Sequence, residues 1–248
     1  MTSKNFGPDT MTNKDRGKFF DFYKTHKSRA LVGFLKDVAK SNTNKKRISA
    51  YLRKQRKVTC LILGCSYWSN PKDTVDFLKS FNKNLDINIT ALDILSNALF
   101  EIIKHDIKCL PVLAPAQKTP FLDNYFDIII CDCLLTCCSF NQHEPVIKEI
   151  NRIIKKKGLL LLGVAHSERN ITFKMVERPI INYCRPLADY KKLFGKYNFV
   201  FPKNSSIETR LPGKWNQIRI ANGIVLKRNW SKPLINNGSH AVPNSQLI

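Results

Sequence analysis

Two short polar segments follow apolar runs and carry side chains that could contact a ligand. Gly64, Cys65 and Ser66 stand directly after the first run, and Asp93 stands directly after the second. If both runs are parallel strands, these residues meet at the carboxyl ends of the strands, where open sheets bind ligands. A glycine there lets the backbone turn tightly, and a carboxylate can accept hydrogen bonds from hydroxyl groups. The pattern therefore predicts a ligand site, with a helix-capping role as the plainer alternative for Asp93.

The glycine content of the first segment disfavours two common phosphate sites. A dinucleotide-binding turn needs three glycines in the pattern G-x-G-x-x-G, and only Gly64 is present here. A P-loop needs glycine, lysine and then serine or threonine, and the chain lacks that triplet. We therefore expect a turn that approaches a ligand without cradling a phosphate.

A third polar segment ends the apolar run that begins at Phe126. Asp132 and Cys133 close this run, so we expect them at the same edge of the sheet as Gly64 and Asp93. A carboxylate between apolar residues of a buried strand needs a partner, which makes Asp132 a candidate site residue. The alternative for Cys133 is a small strand residue without a chemical role.

Two histidines are candidates for a general base. His143 follows the fourth predicted strand, and His166 directly follows the fifth. A histidine near its ordinary pKa can take a proton at neutral pH. His166 is the stronger candidate because it lies at the carboxyl end of a strand. For both residues a surface or helix-capping role is the open alternative.

The eight cysteines predict neither a disulfide framework nor a metal site. Four of them crowd into residues 131–138, where a C-x-C pair inside a strand points its side chains to opposite faces. Since the first residues also lack the apolar core of a secretory signal, we expect free thiols and a cytoplasmic location. No apolar run has the length of a membrane span.

Alternating strands and helices must position these residues. The predicted strands are Val58 to Leu63, Ile87 to Leu92, Cys109 to Leu113, Phe126 to Cys133 and Leu159 to Val164. The predicted helices are Asp73 to Phe81, Ser96 to Lys104 and Glu144 to Lys155, the last ended by Gly158. After them come a helix, Leu187 to Phe194, and two strands, Phe199 to Phe201 and Gln217 to Leu226. This order predicts an α/β fold with a Rossmann-like, mostly parallel seven-stranded sheet, helices on both faces and an antiparallel C-terminal edge hairpin.

The flanks differ from this central domain, which we place at residues 58–230. Residues 1–16 and 231–248 are polar and are expected to be disordered. Residues 17–57 predict a basic helical extension, with two helices before Lys40, a linker from Ser41 to Asn44 and a helix from Lys45 to Lys57. Aromatic residues of the first helix could form a lid over the site, namely Phe19, Phe22 and Tyr23.

The formal net charge is +22, from 41 basic and 19 acidic residues. Most of the excess lies in residues 1–57 and 201–248, whereas the centre is nearly balanced. Basic flanks indicate an anionic partner such as nucleic acid, and a lysine-rich composition without a specific partner is the equal alternative.

In this order, the segments resemble the motifs of class I S-adenosylmethionine-dependent methyltransferases, of the type 11 or type 25 kind. The resemblance covers residues 58–228. The segments that carry it are Gly64-Cys65-Ser66, Ala91 to Ile94, Pro120 to Asp127, Ile150 to Gly158, and Leu187 to Phe194 with Phe199. Three family features are missing: the residues before Gly64 are apolar, the later glycines of its motif are absent, and the segment Leu113 to Gln117 has no acidic residue to contact the adenine.

The resemblance implies S-adenosylmethionine as the cofactor. By this resemblance the methionine part lies against the glycine turn, Asp93 binds the ribose hydroxyls and Ile94 packs on the adenine. Ala116 and Gln117 approach the adenine edge, and the exit of the fourth strand faces the methyl donor. The implied cofactor residues are Gly64, Cys65, Ser66, Asp93, Ile94, Ala116, Gln117, Asp132 and Cys133.

The acceptor is less constrained by the sequence. The motif set is nearest to the small-molecule members of the family, so a small-molecule acceptor methylated by in-line displacement is the first expectation. An RNA or DNA methyltransferase that uses the basic flanks is the second. A degenerate, non-catalytic binding module of the same fold is the third.

Overall fold

The computed structural model describes residues 30–65, 70–174, 181–210 and 217–227. Both tails, residues 1–16 and 231–248, lie outside the described residues, as do the aromatic residues of the expected lid. Within the described ranges the helices are α1 (Ala30–Lys40), α2 (Asn42–Leu52), α3 (Asn70–Lys79), α4 (Ser96–Lys104), α5 (Leu134–Cys137), α6 (Phe140–Ile153) and α7 (Leu187–Lys196). The strands are β1 (Lys57–Leu63), β2 (Asp86–Asp93), β3 (Leu110–Leu113), β4 (Phe126–Asp132), β5 (Ile154–His166), β6 (Ile171–Lys174), β7 (Ile181–Cys184), β8 (Phe199–Val200), β9 (Ser206–Arg210) and β10 (Arg219–Lys227).

One sheet organises the molecule, and its strand order is β3-β2-β1-β4-β5-β10-β8. The first five strands of this order are parallel, whereas β10 is antiparallel to β5 and β8 is antiparallel to β10. The predicted α/β class, the mostly parallel sheet and the antiparallel edge are thereby confirmed. The sheet holds an eighth strand beyond the predicted seven, because β9 pairs with the same edge of β10 as β8 does.

Helices cover both faces of the sheet, and each face has its own core. Apolar side chains of α1, α2, α3 and α4 pack on one face, and those of α5, α6 and α7 pack on the other. The two inner strands β1 and β4 are buried almost throughout, as the continuous apolar sequences KVTCLIL and FDIIICD require. This double cover holds the carboxyl ends of β1, β2, β4 and β5 at one edge.

The segment predicted as a linker, Ser41 to Asn44, is the start of α2. Ser41 is the N-cap, and its hydroxyl accepts a hydrogen bond from the Asn44 amide at 3.3 Å. The prediction was wrong because polar residues typical of a linker are also the preferred capping residues. The basic helix also ends earlier than predicted, at Leu52, and Lys57 begins β1.

The helices α1 and α2 pack on the sheet itself. Phe34, Val38, Ile48 and Leu52 are buried in the same core as the apolar residues of β1. Tyr51 of α2 reaches the amino end of β4, where its hydroxyl donates to Asp127 Oδ1 at 3.1 Å. Residues 30–52 therefore contribute to the core of the methyltransferase-like domain.

The helix α6 ends at Ile153, and Gly158 does not end it as predicted. Residues 154–158 are extended and belong to β5. Three lysines with good helix propensity made this segment resemble a helix end. In the structure these lysines lie where the pairing of β5 with β4 is irregular. Phe126 pairs with Ile154, whereas Ile128 pairs with Leu159.

Candidate active site

The exits of β1 and β2 are joined by backbone hydrogen bonds. The amides of Gly64 and Cys65 both donate to the Leu92 carbonyl, at 2.9 and 3.0 Å. Gly64 has a φ of +78°, which favours glycine. A Cβ at this position would also lie 3.0 Å from Leu134 Cδ1, so a larger residue would be strained by both the backbone angle and a tight contact. Asp93 directly follows Leu92, and the turn and the carboxylate therefore lie side by side.

Asp93 is buried at the last position of β2, with 6% of its surface exposed. Its Oδ1 accepts a hydrogen bond from the Leu95 amide at 2.9 Å, which fixes the carboxylate at the edge of the sheet. Ile94 is only half-buried beside it. The arrangement combines a fixed acceptor with an apolar neighbour, as a ribose with an adjoining base requires. Ser66 lies outside the described residues.

The two residues expected near the adenine edge lie in the segment after β3. The Ala114 amide donates to the Asp93 carbonyl at 3.1 Å, which holds this segment beside the end of β2. Ala116 is buried in the core with 7% exposure. Gln117 is half-buried and lines a groove of about 870 Å³ along α6, with Arg152 among the other lining residues. Their contact with an adenine stays a prediction.

The exit of β4 turns sharply. Cys133 has a φ of +53°, uncommon for a residue other than glycine. Its amide donates to the Gly163 carbonyl at 2.9 Å, and α5 begins at the next residue. Asp132 is the last residue of β4 and is half-buried, so its carboxylate is accessible in part at the edge. The structure therefore places Asp132 and Cys133 at the same edge as Gly64 and Asp93.

Sequence reasoning missed Gly163 and Asn222, which lie in one row with Asp132, and Asp37, which contacts Asn222. Gly163 of β5 pairs with Asp132 on one side and with Asn222 of β10 on the other. Asn222 Nδ2 donates to Asp37 Oδ2 of α1 at 3.2 Å. A polar residue in the apolar run IRIANGIVLK and a glycine in LLLLGVA were the available signals. Their partnership could not be found, because it depends on which strands are neighbours.

His143, the weaker of the two predicted bases, lies in α6 with no exposed surface. Its Nδ1 accepts from Arg185 Nε at 3.1 Å, and its Nε2 lies 3.0 Å from the Cys138 carbonyl. The ring also stacks on Tyr190, with the centroids 5.5 Å apart. Burial and the Arg185 charge lower the pKa of His143 to about 4. Because a neutral ring with both nitrogens engaged cannot take a proton from an acceptor, this geometry speaks against a catalytic role.

His166 ends β5 and is closer to the expected geometry. It is 7% exposed, and its Nε2 lies 3.7 Å from Glu208 Oε1 of β9. Burial lowers the pKa of His166, Glu208 opposes this effect, and Arg219 and Lys191 lower it further. The ring is therefore mainly neutral near pH 7, as a proton acceptor must be. Its role as a base stays a prediction.

The structure also describes the cysteines and the basic helix that the sequence singled out. All eight cysteines carry free thiols, and burial raises the pKa of Cys131 and of Cys184 to about 12. In the described part of the chain no group of three His, Cys, Asp or Glu side chains is placed to hold a metal ion. No helix among the described residues is long and apolar enough to cross a membrane. Exposed Lys45, Lys46 and Arg53 line a shallow groove of about 330 Å³ on α2.

Comparison with known families agrees with this geometry. Residues 74–162 match the family model described as a methyltransferase domain. That range runs from α3 into β5 and includes Asp93 and Asp132. No curated protein matches the sequence.

Solved structures share the fold at low sequence identity. One is the 1,6-didemethyltoxoflavin-N1-methyltransferase of Burkholderia thailandensis with bound 1,6-didemethyltoxoflavin and S-adenosylhomocysteine, at 14% identity and a TM-score of 0.54 over 86% of this chain and 87% of that chain. A second is an S-adenosylmethionine-dependent methyltransferase of Methanosarcina mazei, at 16% identity and a TM-score of 0.53 over 70% and 93%. A third is the [4+2]-cyclase SpnF, at 11% identity and a TM-score of 0.53 over 74% and 79%.

The resemblance to class I S-adenosylmethionine-dependent methyltransferases is thereby confirmed. Residues 74–162 resemble a methyltransferase domain, and the chain shares its fold with solved S-adenosylmethionine-dependent methyltransferases.

Proposed function

We propose that this protein transfers a methyl group from S-adenosylmethionine to a small-molecule acceptor. The observation that carries the proposal is the joined exit of β1 and β2. There the Gly64 and Cys65 amides share the Leu92 carbonyl, and Asp93 follows at once. A tight glycine turn next to a fixed carboxylate suits a nucleoside with a short amino-acid chain.

The residues present fit this cofactor. In this proposal the glycine turn contacts the methionine part, Asp93 accepts hydrogen bonds from the ribose hydroxyls, and Ile94 packs on the adenine. Ala116 and Gln117 border the adenine edge. When bound, the cofactor supplies a methyl group on a positively charged sulfur, which leaves readily. The protein's contribution is then mainly to position the acceptor and to exclude water.

A small-molecule acceptor is supported by the neighbour whose structure contains 1,6-didemethyltoxoflavin, since its likeness spans most of both chains. If the acceptor must lose a proton, His166 is the better base of the two histidines. It lies at the carboxyl end of β5, and its Nε2 has no hydrogen-bond partner among the described residues. His143 instead serves the packing of α6 against α7.

Calorimetric titration tests the proposal. We expect S-adenosylmethionine and S-adenosylhomocysteine to bind with micromolar affinity, and ATP to bind far more weakly because it lacks the methionine part. Transfer of a labelled methyl group to a panel of small molecules is the second measurement. Equal binding of all three ligands, or no binding of the first two, would contradict the proposed cofactor site.

A nucleic-acid acceptor is the second candidate, favoured by the basic groove on α2. Its residues lie on the helix whose Tyr51 contacts the amino end of β4, whereas the candidate active site lies at the carboxyl ends. RNA binding that weakens steeply with salt, and that is reduced by Lys45→Ala and Lys46→Ala, would support it. Binding that ignores both would exclude it.

The methyl-transfer assay separates a third candidate, a non-catalytic binding module, from the small-molecule and nucleic-acid methyltransferases. The [4+2]-cyclase neighbour has the same fold and a different activity in its name, so the fold by itself does not decide the reaction. Cofactor binding without methyl transfer to any acceptor would favour this alternative.

A further inference from the structure

A groove of about 510 Å³ lies at the carboxyl edge of the sheet, where β5, β9 and β10 come together. β5 and β9 end there, at His166 and Arg210, and the antiparallel β10 begins there, at Arg219. Among the described residues that line the groove, three are arginines and one is a carboxylate, namely Arg169, Arg210, Arg219 and Glu168. The groove is therefore positively charged, and its lining residues have no role in the proposed cofactor site.

The pairing of strands sets two of these arginines directly opposite each other. Arg219 of β10 pairs with Arg210 of β9 on one side and with His166 of β5 on the other. Side chains paired across neighbouring strands project from the same face of the sheet and are close neighbours. Two like charges directly opposite each other destabilise a strand pair. An anion bound between the two guanidinium groups would offset this repulsion.

The arginines of this groove meet few acceptors among the described residues. Glu208 Oε2 lies 3.7 Å from Arg219 Nη1, which is too long for a hydrogen bond, and Glu208 Oε1 lies 3.7 Å from His166 Nε2. The side chains of Arg169 and Arg210 have no hydrogen bond or ion pair within the described part of the chain. A guanidinium carries five N–H donors in a planar fork that matches a carboxylate or a phosphate. The groove therefore suits an oxyanion better than a neutral ligand.

His166 connects the groove with the candidate active site. It is 7% exposed, and its Nε2 has no hydrogen-bond partner among the described residues. It follows Gly163, the partner of Asp132, by three residues, which is about 10 Å along β5. A small molecule with one end in the groove can therefore reach the exit of β4.

We propose that Arg169, Arg210 and Arg219 bind an anionic group of the methyl acceptor, a carboxylate or a phosphate, so that the acceptor is an acidic small molecule. The inference rests on the proposed function and adds the chemical class of the acceptor. The anionic group occupies the groove, and the remainder of the acceptor extends along β5 toward Asp132. The three arginines contact the acceptor away from the atom that receives the methyl group, so they select the substrate and do not take part in the chemistry.

Ligand-observed NMR with three matched probes tests the groove. The probes are benzoate, phenyl phosphate and benzamide, which share a phenyl ring, and only the first two are anions. Each is titrated into the full chain, with and without S-adenosylhomocysteine. We expect at least one anion to bind about tenfold or more tightly than benzamide, because charge-assisted hydrogen bonds to arginine are stronger than neutral ones. The anion that binds more tightly identifies the group as a carboxylate or a phosphate, and binding of both anions no tighter than that of benzamide overturns the proposal.

Arginine substitutions locate the binding. Arg210→Gln and Arg219→Gln should each weaken binding of the tighter anion about tenfold and leave the affinity for S-adenosylhomocysteine unchanged. Both side chains are exposed, that of Arg219 to 41%, so neither substitution should impair folding. Arg53→Gln is the matched control, since it removes the same charge from the basic groove on α2 and should leave anion binding unchanged. Anion binding that ignores both groove variants, or that falls equally in the control, overturns the inference.

Two further results separate this inference from the other proposals. Displacement of the bound anion by a single-stranded RNA would assign the groove to nucleic-acid phosphates and would overturn a small acidic acceptor. Absence of S-adenosylhomocysteine binding overturns the proposed function instead, whereas the probe series without cofactor still decides on the anion groove.

Discussion

Strand β4 carries an aspartate near each end, and the two have opposite surroundings. Asp127, near the amino end, is surrounded by donors. Its carboxylate accepts from the Thr59 amide and hydroxyl at 2.9 Å each, and from Lys155 Nζ at 2.8 Å. Asp132, at the carboxyl end, faces the unsatisfied oxygen of Asn222 over a glycine. The donors around Asp127 stabilise the fold, whereas the half-buried Asp132 lies at the edge that holds the candidate active site.

The same contrast separates the two histidines. His143 has a partner at each ring nitrogen and is fully buried. His166 ends β5, and its Nε2 has only a carboxylate at 3.7 Å. Of these two histidines, the one with both ring nitrogens engaged is packed under helices, and the one whose Nε2 has no hydrogen-bond partner among the described residues lies at the carboxyl edge with Gly64 and Asp93. Substitutions at the two kinds of position should therefore affect different quantities.

The largest effect is expected at Asp127. Asp127→Ala leaves the Thr59 amide without its acceptor and Lys155 without its partner, so we expect a loss of about 3 kcal/mol in the free energy of unfolding. Urea denaturation measures it. The control Asp86→Ala removes an exposed carboxylate 3.6 Å from Lys57 Nζ and should change stability by about 0.5 kcal/mol or less. Equal losses in both variants would refute the contrast between the two ends of β4.

His143 should make stability depend on pH. The folded state holds its pKa near 4, below the ordinary value of 6.5. Between these values the unfolded chain binds more protons, so the free energy of unfolding falls as the pH falls from 6.5 to 4. The expected change is on the order of 2 to 3 kcal/mol.

Denaturation of the parent protein and of His143→Leu across this pH range measures the effect. The variant should be less stable at pH 7, because Arg185 loses its acceptor, and the slope between pH 6.5 and 4 should become smaller. Cofactor binding at pH 7 should stay the same. Loss of cofactor binding in His143→Leu would instead assign this residue to the cofactor site.

Asp93 tests the carboxyl edge of the sheet, where we expect a substitution to affect binding more than stability. Asp93→Ala should weaken S-adenosylhomocysteine binding about tenfold to a hundredfold, because two hydrogen bonds from ribose hydroxyls to a charged acceptor are lost. The variant should lose only about 1 kcal/mol in stability, from the bond to the Leu95 amide. Titration calorimetry and denaturation are measured together, with Asp86→Ala as the control. An unchanged affinity would remove Asp93 from the cofactor site.

The sequence predicted the parts of the fold that depend on local periodicity. Continuous apolar runs located the five parallel strands, and α4 begins and ends at the predicted residues Ser96 and Lys104. Prediction from the sequence failed at Ser41, where capping residues resembled a linker. It also failed after Ile154, where consecutive lysines resembled a helix end. The strands β6, β7 and β9 were not predicted, because short or polar strands gain their stability from a partner strand.

The site residues were predictable only where a polar or glycine residue directly follows an apolar strand in the sequence. Gly64 and Asp93 each follow an apolar run, so their edge could be inferred from the order of strands. The row of Asp132, Gly163 and Asn222 depends on β10 inserting antiparallel beside β5, which local sequence does not specify. The charge distribution was also a poor guide to the site, because it did not show that the basic groove on α2 lies away from the candidate active site.

The smallest effect is expected at His166, and it decides whether this residue can act as a base. Glu208 raises the pKa of His166 against the lowering by burial, Arg219 and Lys191. Glu208→Gln removes the negative charge 3.7 Å from Nε2, so we expect the pKa of His166 to fall further. NMR titration of the imidazole signal measures it, with Glu101→Gln on α4 as a control that should leave the signal's midpoint in place. A rise in pKa, or an equal shift in both variants, would mean that Glu208 does not face the ring in solution. A methyl-transfer rate that follows the shifted pKa would assign the base to His166, and a rate that ignores it would remove His166 from the proposed catalytic site.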